Sequence, residues 1–258
     1  GPIEELKQTK ITQPAIFVLS VIINKLLEEK GIKPVITAGH SLGEYSALVC
    51  AGVMSFEDAL EVVKLRGAEM QKAGEENPGT MAAIVGIGDD NLVIEACREA
   101  SSAGIVQAAN FNSPGQTVIS GSIDGVKKGM EIAKTKGAKI VKELVVSGAF
   151  HSPLMQSAVQ PLTDKLKSVS FYDPKISVVP NVTARVCDDK NELKKLLVEQ
   201  VTAPVKWSET IETMINEGVD TFIEVGPGNV LQSLGKRISK EVKFLGVQNL
   251  EELNNIAL

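Results

Sequence analysis

Val35-Ile36-Thr37-Ala38-Gly39-His40-Ser41-Leu42-Gly43-Glu44 runs short apolar β-formers into a Gly-x-Ser-x-Gly turn, and a run from Tyr45 to Ala51 rich in helix formers follows at once. The serine therefore falls between an expected strand and an expected helix, the setting of a nucleophile elbow. In such a turn the glycines remove side chains where strand and helix come close. The strained backbone turns the serine hydroxyl outward, and the N–H of the next residue, Leu42, points from the helix start toward a developing oxyanion. A glycine-rich turn with an incidental serine is the plainer reading. Gly-x-Ser-x-Gly alone is common, and it is the strand-turn-helix setting that gives the motif its weight.

Upstream of the elbow, Ile16, Leu19, Ile22, Ile23, Leu26 and Leu27 repeat at helical spacing between Ala15 and Lys30, with a start near Pro14 and a stop at Gly31. Downstream, Ser55-Phe56-Glu57-Asp58 reads as a helix cap with acids in the first turn. Phe56, Ala59, Leu60, Val63, Gly67 and Met70 make the apolar stripe of that helix, and Arg66 falls on the stripe. A guanidinium on an apolar face needs an anion, best a carboxylate held bidentately. Spacing leaves open whether that carboxylate is internal or belongs to a ligand, and favours the internal one.

Between Pro78 and about Val146 the pattern changes. Met81–Val85 reads as a strand, 90–100 as a helix, 105–109 and 116–120 as strands, 124–136 as a helix and 138–145 as a strand. That order, βαββαβ, is the ferredoxin-like split unit. The fold class expected is α/β: a mostly parallel sheet with a nucleophile elbow (an α/β-hydrolase-like core, residues 1–76 and 147–258) and an inserted ferredoxin-like subdomain (77–146). In the second core segment, helices are expected over 154–169, 192–201, 207–216 and from after Gly228 to about Ser239, and strands over 176–182, 221–225 and 244–247.

Composition bounds the function classes. The 258 residues carry 27 Lys plus Arg against 32 Asp plus Glu, a net charge of −5, with no basic block to favour nucleic acid. Cys50, Cys97 and Cys187 lack metal-ligand spacing and read as reduced thiols, which places the chain in the cytoplasm. No apolar run approaches the roughly 18 residues of a membrane span, and no metal or cofactor motif is present.

A nucleophilic serine needs a base, and the chain has two histidines. His40, inside the elbow, is aimed by the turn away from the serine hydroxyl and reads as a packing or hydrogen-bonding residue. His151, in the loop Gly148-Ala149-Phe150-His151-Ser152-Pro153, remains as the base by exclusion. Several carboxylates lie between Ser41 and His151, which leaves a full triad open.

Taken together, Gly39-His40-Ser41-Leu42-Gly43-Glu44-Tyr45, Leu65-Arg66-Gly67, Asn110-Phe111-Asn112-Ser113-Pro114, Gly148-Ala149-Phe150-His151-Ser152 and Glu224-Val225-Gly226-Pro227-Gly228 resemble the malonyl-CoA:acyl-carrier-protein transacylases of bacterial fatty-acid synthesis. The resemblance runs from about Ile3 onward in order and spacing. It implies Ser41 as acyl-accepting nucleophile, His151 as base, Arg66 as clamp for the malonyl carboxylate and Leu42 N–H as oxyanion donor. It implies further that the backbone carbonyl of Gln200 orients the histidine in place of an acid, that Gln13 lines the acyl pocket, and that Asn110 and Asn112 stand in a subdomain loop at the thioester entrance. The Phe150-His151 pairing resembles malonyl-selective members. The partners implied are malonyl-CoA and acyl carrier protein, with no cofactor, nucleic acid or membrane.

The family pattern opens with a strand and a Gly-Gln-Gly-Ser-Gln type loop that supplies a second oxyanion donor. The residues read here start several tens of positions into that pattern. Loss of one such donor typically costs on the order of 10²–10³ in rate, so the activity expected of residues 1–258 alone stays open. Two alternatives stand beside transfer: a serine hydrolase or thioesterase of the elbow type, and a non-catalytic module that binds CoA or carrier protein.

Overall fold

The computed structural model describes residues 2–256, so Gly1, Ala257 and Leu258, the ends of the expected core ranges, lie outside it. After a single turn, α1 (Ile3–Leu6), the long helix α2 (Thr9–Glu29) leads to β1 (Ile36–Thr37), the elbow, and α3 (Gly43–Cys50). Helix α4 (Phe56–Glu76) follows, its first turn capped by Ser55, whose Oγ accepts the Asp58 N–H at 3.0 Å.

Helix α2 begins five residues before the proline expected to start it. Pro14 sits inside the helix and costs it one backbone bond. Packing offsets that loss: Thr9, Gln13, Phe17 and Ser20 are buried, and Gly67 of α4 lets the two helices close up. A Cβ at Gly67 would lie 3.0 Å from both Lys10 Cα and Thr9 O. By length and composition α2 is also apolar enough to cross a membrane, with a mean hydropathy of 1.4 over 18 residues, contrary to the expectation from the sequence. Its Phe17 joins Tyr45, Leu48, Val62, Val63, Met70 and Leu162 in the main core, while Ile23 and Leu27 pack with Val247 and Leu253.

Residues 79–143 form a four-stranded antiparallel sheet of β2 (Gly79–Val85), β3 (Val106–Ser113), β4 (Gln116–Ser122) and β5 (Ile140–Glu143) in the order β3-β4-β2-β5. With α5 (Asp90–Ala100) and α6 (Ile123–Thr135) the chain order is βαββαβ and the strand order that of the ferredoxin-like unit. A separate apolar cluster around Ile84, Val93, Cys97, Ile119 and Val126 holds the helices to the sheet.

The rest comprises a 3₁₀ turn (Pro153–Ala158), α7 (Val159–Lys167), β6 (Ser177–Val178), α8 (Lys190–Glu199), α9 (Trp207–Asn216), β7 (Thr221–Val225), α10 (Val230–Ile238), β8 (Lys243–Val247) and α11 (Leu250–Asn255), the last not read from sequence. All core strand pairs are parallel, as expected, but they form two short pieces, β1-β6 and β7-β8, and not one continuous sheet. A cavity of about 350 Å³ lies between the pieces, lined by Val35, Ile36 and Thr37 on one side and by Phe222, Ile223 and Glu224 on the other. Strands β1 and β6 pair with each other over only two residues each, fewer than the four apolar β-formers Val35–Ala38 and the seven residues 176–182 suggested, and the other edge of β6 carries only a single bridge, Val178 to Cys187. Glu224, from the Glu-Val-Gly-Pro-Gly motif, accepts the Leu231 and Gln232 N–H groups at 3.0 Å each and so caps α10.

Candidate active site

The elbow has the strain its sequence called for. Ser41 takes φ 50, a left-handed conformation that costs a non-glycine residue on the order of 1–2 kcal/mol. Gly39 is required by contact, since a Cβ there would lie 1.9 Å from the Gly43 carbonyl carbon. Gly43 is not required in that way. A Cβ on it would meet nothing within 4 Å, because it faces the cavity between the parallel strand pairs.

Asn181, three residues past the end of β6, pins the turn from outside. Its Oδ1 accepts the Ser41 N–H at 2.7 Å and its Nδ2 donates to Gly39 O at 2.7 Å. Its own backbone N–H donates to Glu44 Oε2 at 2.9 Å. Glu44 is fully buried and also accepts from Gln200 Nε2 at 2.8 Å, while its second oxygen has no partner among the described residues. Burial pushes its carboxyl up to about 7 against the pull of those hydrogen bonds and of Arg66.

His151 and Ser41 meet across 110 residues of sequence, with Oγ and Nε2 2.8 Å apart. The other ring nitrogen, Nδ1, lies 2.8 Å from the Gln200 carbonyl oxygen. A carbonyl can only accept, so Nδ1 carries the proton and Nε2 is bare, poised to accept the serine proton. Burial, with the nearby Arg66 charge, pushes the His151 pKa down to about 3, so the ring is neutral at ordinary pH. Among the described residues no acid hydrogen-bonds it; where the sequence left a full triad open, the backbone carbonyl of Gln200 stands in the place of an acid.

Arg66 is 1 % exposed. Its Nη1 donates to Gln13 Oε1 at 2.7 Å, and its Nη2 donates to Gln200 Oε1 at 2.9 Å and to Ser41 Oγ at 3.0 Å. The guanidinium lies 5.4 Å from the centre of the Tyr45 ring. Among the described residues no carboxylate lies within 4.0 Å of it, so the internal partner that spacing favoured is absent. Glu44 reaches it only through the Gln200 amide, which holds one group with each end.

His40 behaves as a hydrogen-bonding and packing residue, as read from the turn. Its Nε2 lies 2.9 Å from Asn112 Oδ1 and its ring packs edge-on against Trp207 at 5.6 Å. Asn110 and Asn112 are not in a loop: β3 continues through Ser113, with bulges after Ala108 and Phe111. The strand is extended by outside pairing, as Phe111 N donates to Val205 O and Val205 N to Ala109 O. Asn110 is buried beside that bridge and touches neither Ser41 nor His151 by a hydrogen bond. Leu42 N–H makes no hydrogen bond among the described residues, as an oxyanion donor should not.

Three residues of the site were missed by sequence reading. Asn181 lies at the carboxyl end of a parallel strand, where α/β folds place ligand-handling groups, and that rule would have found it. Glu44 stood inside the elbow motif. Gln107 of β3, whose amide nitrogen contacts the carbonyls of His151 and Thr202, carried no local signal.

A strained serine on a strand-to-helix turn, a neutral histidine oriented by a carbonyl and a buried arginine at the serine oxygen define a serine enzyme that handles acyl groups. The acyl transferase domain family matches residues 1–254, and malonyl CoA-acyl carrier protein transacylases of Haemophilus influenzae and Bacillus subtilis are each 43% identical to this chain, over 258 and 253 residues. These matches cover 99% and 98% of this chain and 82% and 80% of the relatives. An acyl carrier protein S-malonyltransferase from Vibrio cholerae superposes with a TM-score of 0.96 at 41% identity, covering 100% of this chain and 84% of that one. A malonyl-transacylase solved in complex with its type II PKS acyl-carrier protein gives 0.94 at 41% identity, covering 98% and 82%. The chain belongs to the malonyl CoA-acyl carrier protein transacylases of the acyl transferase domain family.

Proposed function

We propose that this protein moves a malonyl group from malonyl-CoA to the phosphopantetheine thiol of acyl carrier protein, through a malonyl ester on Ser41, in fatty-acid synthesis. Ser41 Oγ attacks the thioester carbonyl while His151 Nε2 takes its proton. The tetrahedral oxyanion faces Leu42 N–H, and its collapse expels CoA, whose sulfur takes the proton back from His151. The carrier thiol then repeats the sequence in reverse, so the acyl bond energy passes from thioester to ester to thioester and no cofactor is consumed.

The observation that carries this reading is Arg66. A buried cation with only neutral acceptors, one of them the nucleophile itself, is matched to an acyl group that brings its own carboxylate. Acetyl and longer unsubstituted acyl groups bring none, and a general esterase gains nothing from the charge. Free, unbridged Cys50, Cys97 and Cys187 support a cytoplasmic location. The test is to incubate the protein with malonyl-CoA or acetyl-CoA and map the adduct by peptide mass spectrometry. Malonyl on the Ser41 peptide, in large excess over acetyl, is expected; equal labelling by the two would remove the basis for the malonyl assignment.

A further inference from the structure

Gln107 makes two hydrogen bonds that the chemistry above does not use. It stands on β3, and strand alternation turns it away from Val106, which packs with the helices of the four-stranded sheet. Its side chain instead reaches the core. The single amide nitrogen Nε2 donates to His151 O at 2.8 Å and to Thr202 O at 3.0 Å, spending both of its protons on two backbone carbonyls.

Those two carbonyls belong to the two segments whose relative placement sets the base. His151 hangs its ring on the Gln200 carbonyl, and Thr202 and Ala203 follow in the turn that ends α8, both tied back to Glu199 O. His151 itself takes φ 55, so its backbone holds a conformation that costs on the order of 1–2 kcal/mol and persists only where its surroundings fix it. Its carbonyl has no other hydrogen-bond donor among the described residues.

We propose that Gln107 is a positioning residue for the general base: one amide staples the His151 carbonyl to the turn after Gln200, and thereby keeps Nδ1 on the Gln200 carbonyl and Nε2 on Ser41 Oγ. The inference rests on His151 acting as base. It assigns the four-stranded unit a part in the chemistry, because the strand that carries Gln107 also pairs with Val205 three residues beyond the stapled turn. Displacing a catalytic group by about 1 Å costs on the order of 10²-fold in rate, and nothing in this contact touches the acyl clamp.

The test is a double-mutant cycle read with a small fluorophosphonate, which labels an activated serine whatever acyl group the enzyme prefers. Gln107→Met keeps the side-chain length and removes both donors; Gln107→Glu presents acceptors to two carbonyls at neutral pH and should be worse. Ser41 labelling is expected to slow about 10- to 100-fold in Gln107→Met. Malonyl transfer should lose kcat by a similar factor with KM unchanged, and the Nδ1 proton resonance of His151 should broaden or shift. In a His151→Ala background, Gln107→Met should add no further loss. Additive losses in that background, or a lower melting temperature with labelling rate and His151 resonance unchanged, would overturn the proposal. If Gln107→Met does not fold, Gln107→Asn, with the same donors on a shorter arm, carries the same cycle. A normal labelling cycle without any malonyl transfer would retain the staple and reject the malonyl reading, while no labelling of the unsubstituted protein would overturn both.

Discussion

Replacing Arg66 by alanine separates a substrate clamp from a structural cation. In the structure the fork is held by Gln13 Oε1, Gln200 Oε1 and Ser41 Oγ, all neutral. A malonyl carboxylate arriving at the fork displaces at least one of them, so the net gain is closer to one charge-assisted hydrogen bond than to two. Such a bond contributes about 1.5–3 kcal/mol, and about 1.36 kcal/mol is a factor of ten. Arg66→Ala is therefore expected to lower kcat/KM for malonyl-CoA about 10- to 150-fold. Acetyl-CoA should be used as well as before or better, since its complex no longer contains an unpaired cation. Arg66→Lys should recover only part of the loss, because it keeps the charge and loses the planar fork. The quantity to measure is the ratio of the two kcat/KM values. Any general loss of stability, from leaving Gln13 and Gln200 without their donor, cancels from that ratio. A ratio that stays at the unsubstituted value, with both rates reduced alike, would refute the clamp and make Arg66 a structural residue.

Ser41→Ala should abolish the covalent adduct with malonyl-CoA while the protein still folds, since alanine takes the strained φ of 50 no better than serine and the lost hydroxyl leaves only one donor, Arg66 Nη2, and one acceptor, His151 Nε2, without that partner; persistent labelling would place the nucleophile elsewhere. With His151 pushed down to about 3, kcat/KM for acylation should keep its neutral-pH value well below 6.5, with the acidic limb toward 3, and a limb near 6.5 would contradict a buried, Arg66-facing base. Glu44, raised from 4.5 to about 7 by burial, binds its proton more tightly folded than unfolded. Its contribution to stability is thus full below 4.5 and lost as pH rises through about 7. The stability of the parent minus that of Glu44→Gln, measured by denaturant unfolding, should fall as pH rises across that window, and a flat or rising difference would mean the carboxyl is ionised throughout.

What could be read from sequence and what could not divide along physical lines. The elbow was legible because strand, strained turn and helix are consecutive, and Ser55 capping α4 was legible for the same reason. His151 was found by exclusion, since only two histidines exist and the turn geometry removed His40. The partner of Arg66 went the wrong way, because helical spacing reports that a cation is buried but not what faces it across the core. Pro14 misled the start of α2, whose register is set by contact with α4 and not by local propensity. Asn110 and Asn112 were placed in a loop, since Asn-x-Asn-Ser-Pro reads as turn chemistry; the pairing of Ala109 and Phe111 with Val205, about a hundred residues away, keeps them in a strand. Gln107 and Asn181 were missed because each acts by holding backbone atoms of a distant segment, a relation no local pattern encodes.

The central claim is that Ser41 passes its acyl group to a thiol and not to water. The direct measurement is to form the malonyl-Ser41 protein with malonyl-CoA, remove free nucleotide by rapid desalting, and follow discharge in buffer and with phosphopantetheine-bearing acyl carrier protein. The expected result is a persistent ester in buffer that is discharged quickly onto the carrier, with malonyl carrier protein formed in equal amount. Discharge into free malonate at the same rate with and without the carrier would contradict the account and make the protein a hydrolase.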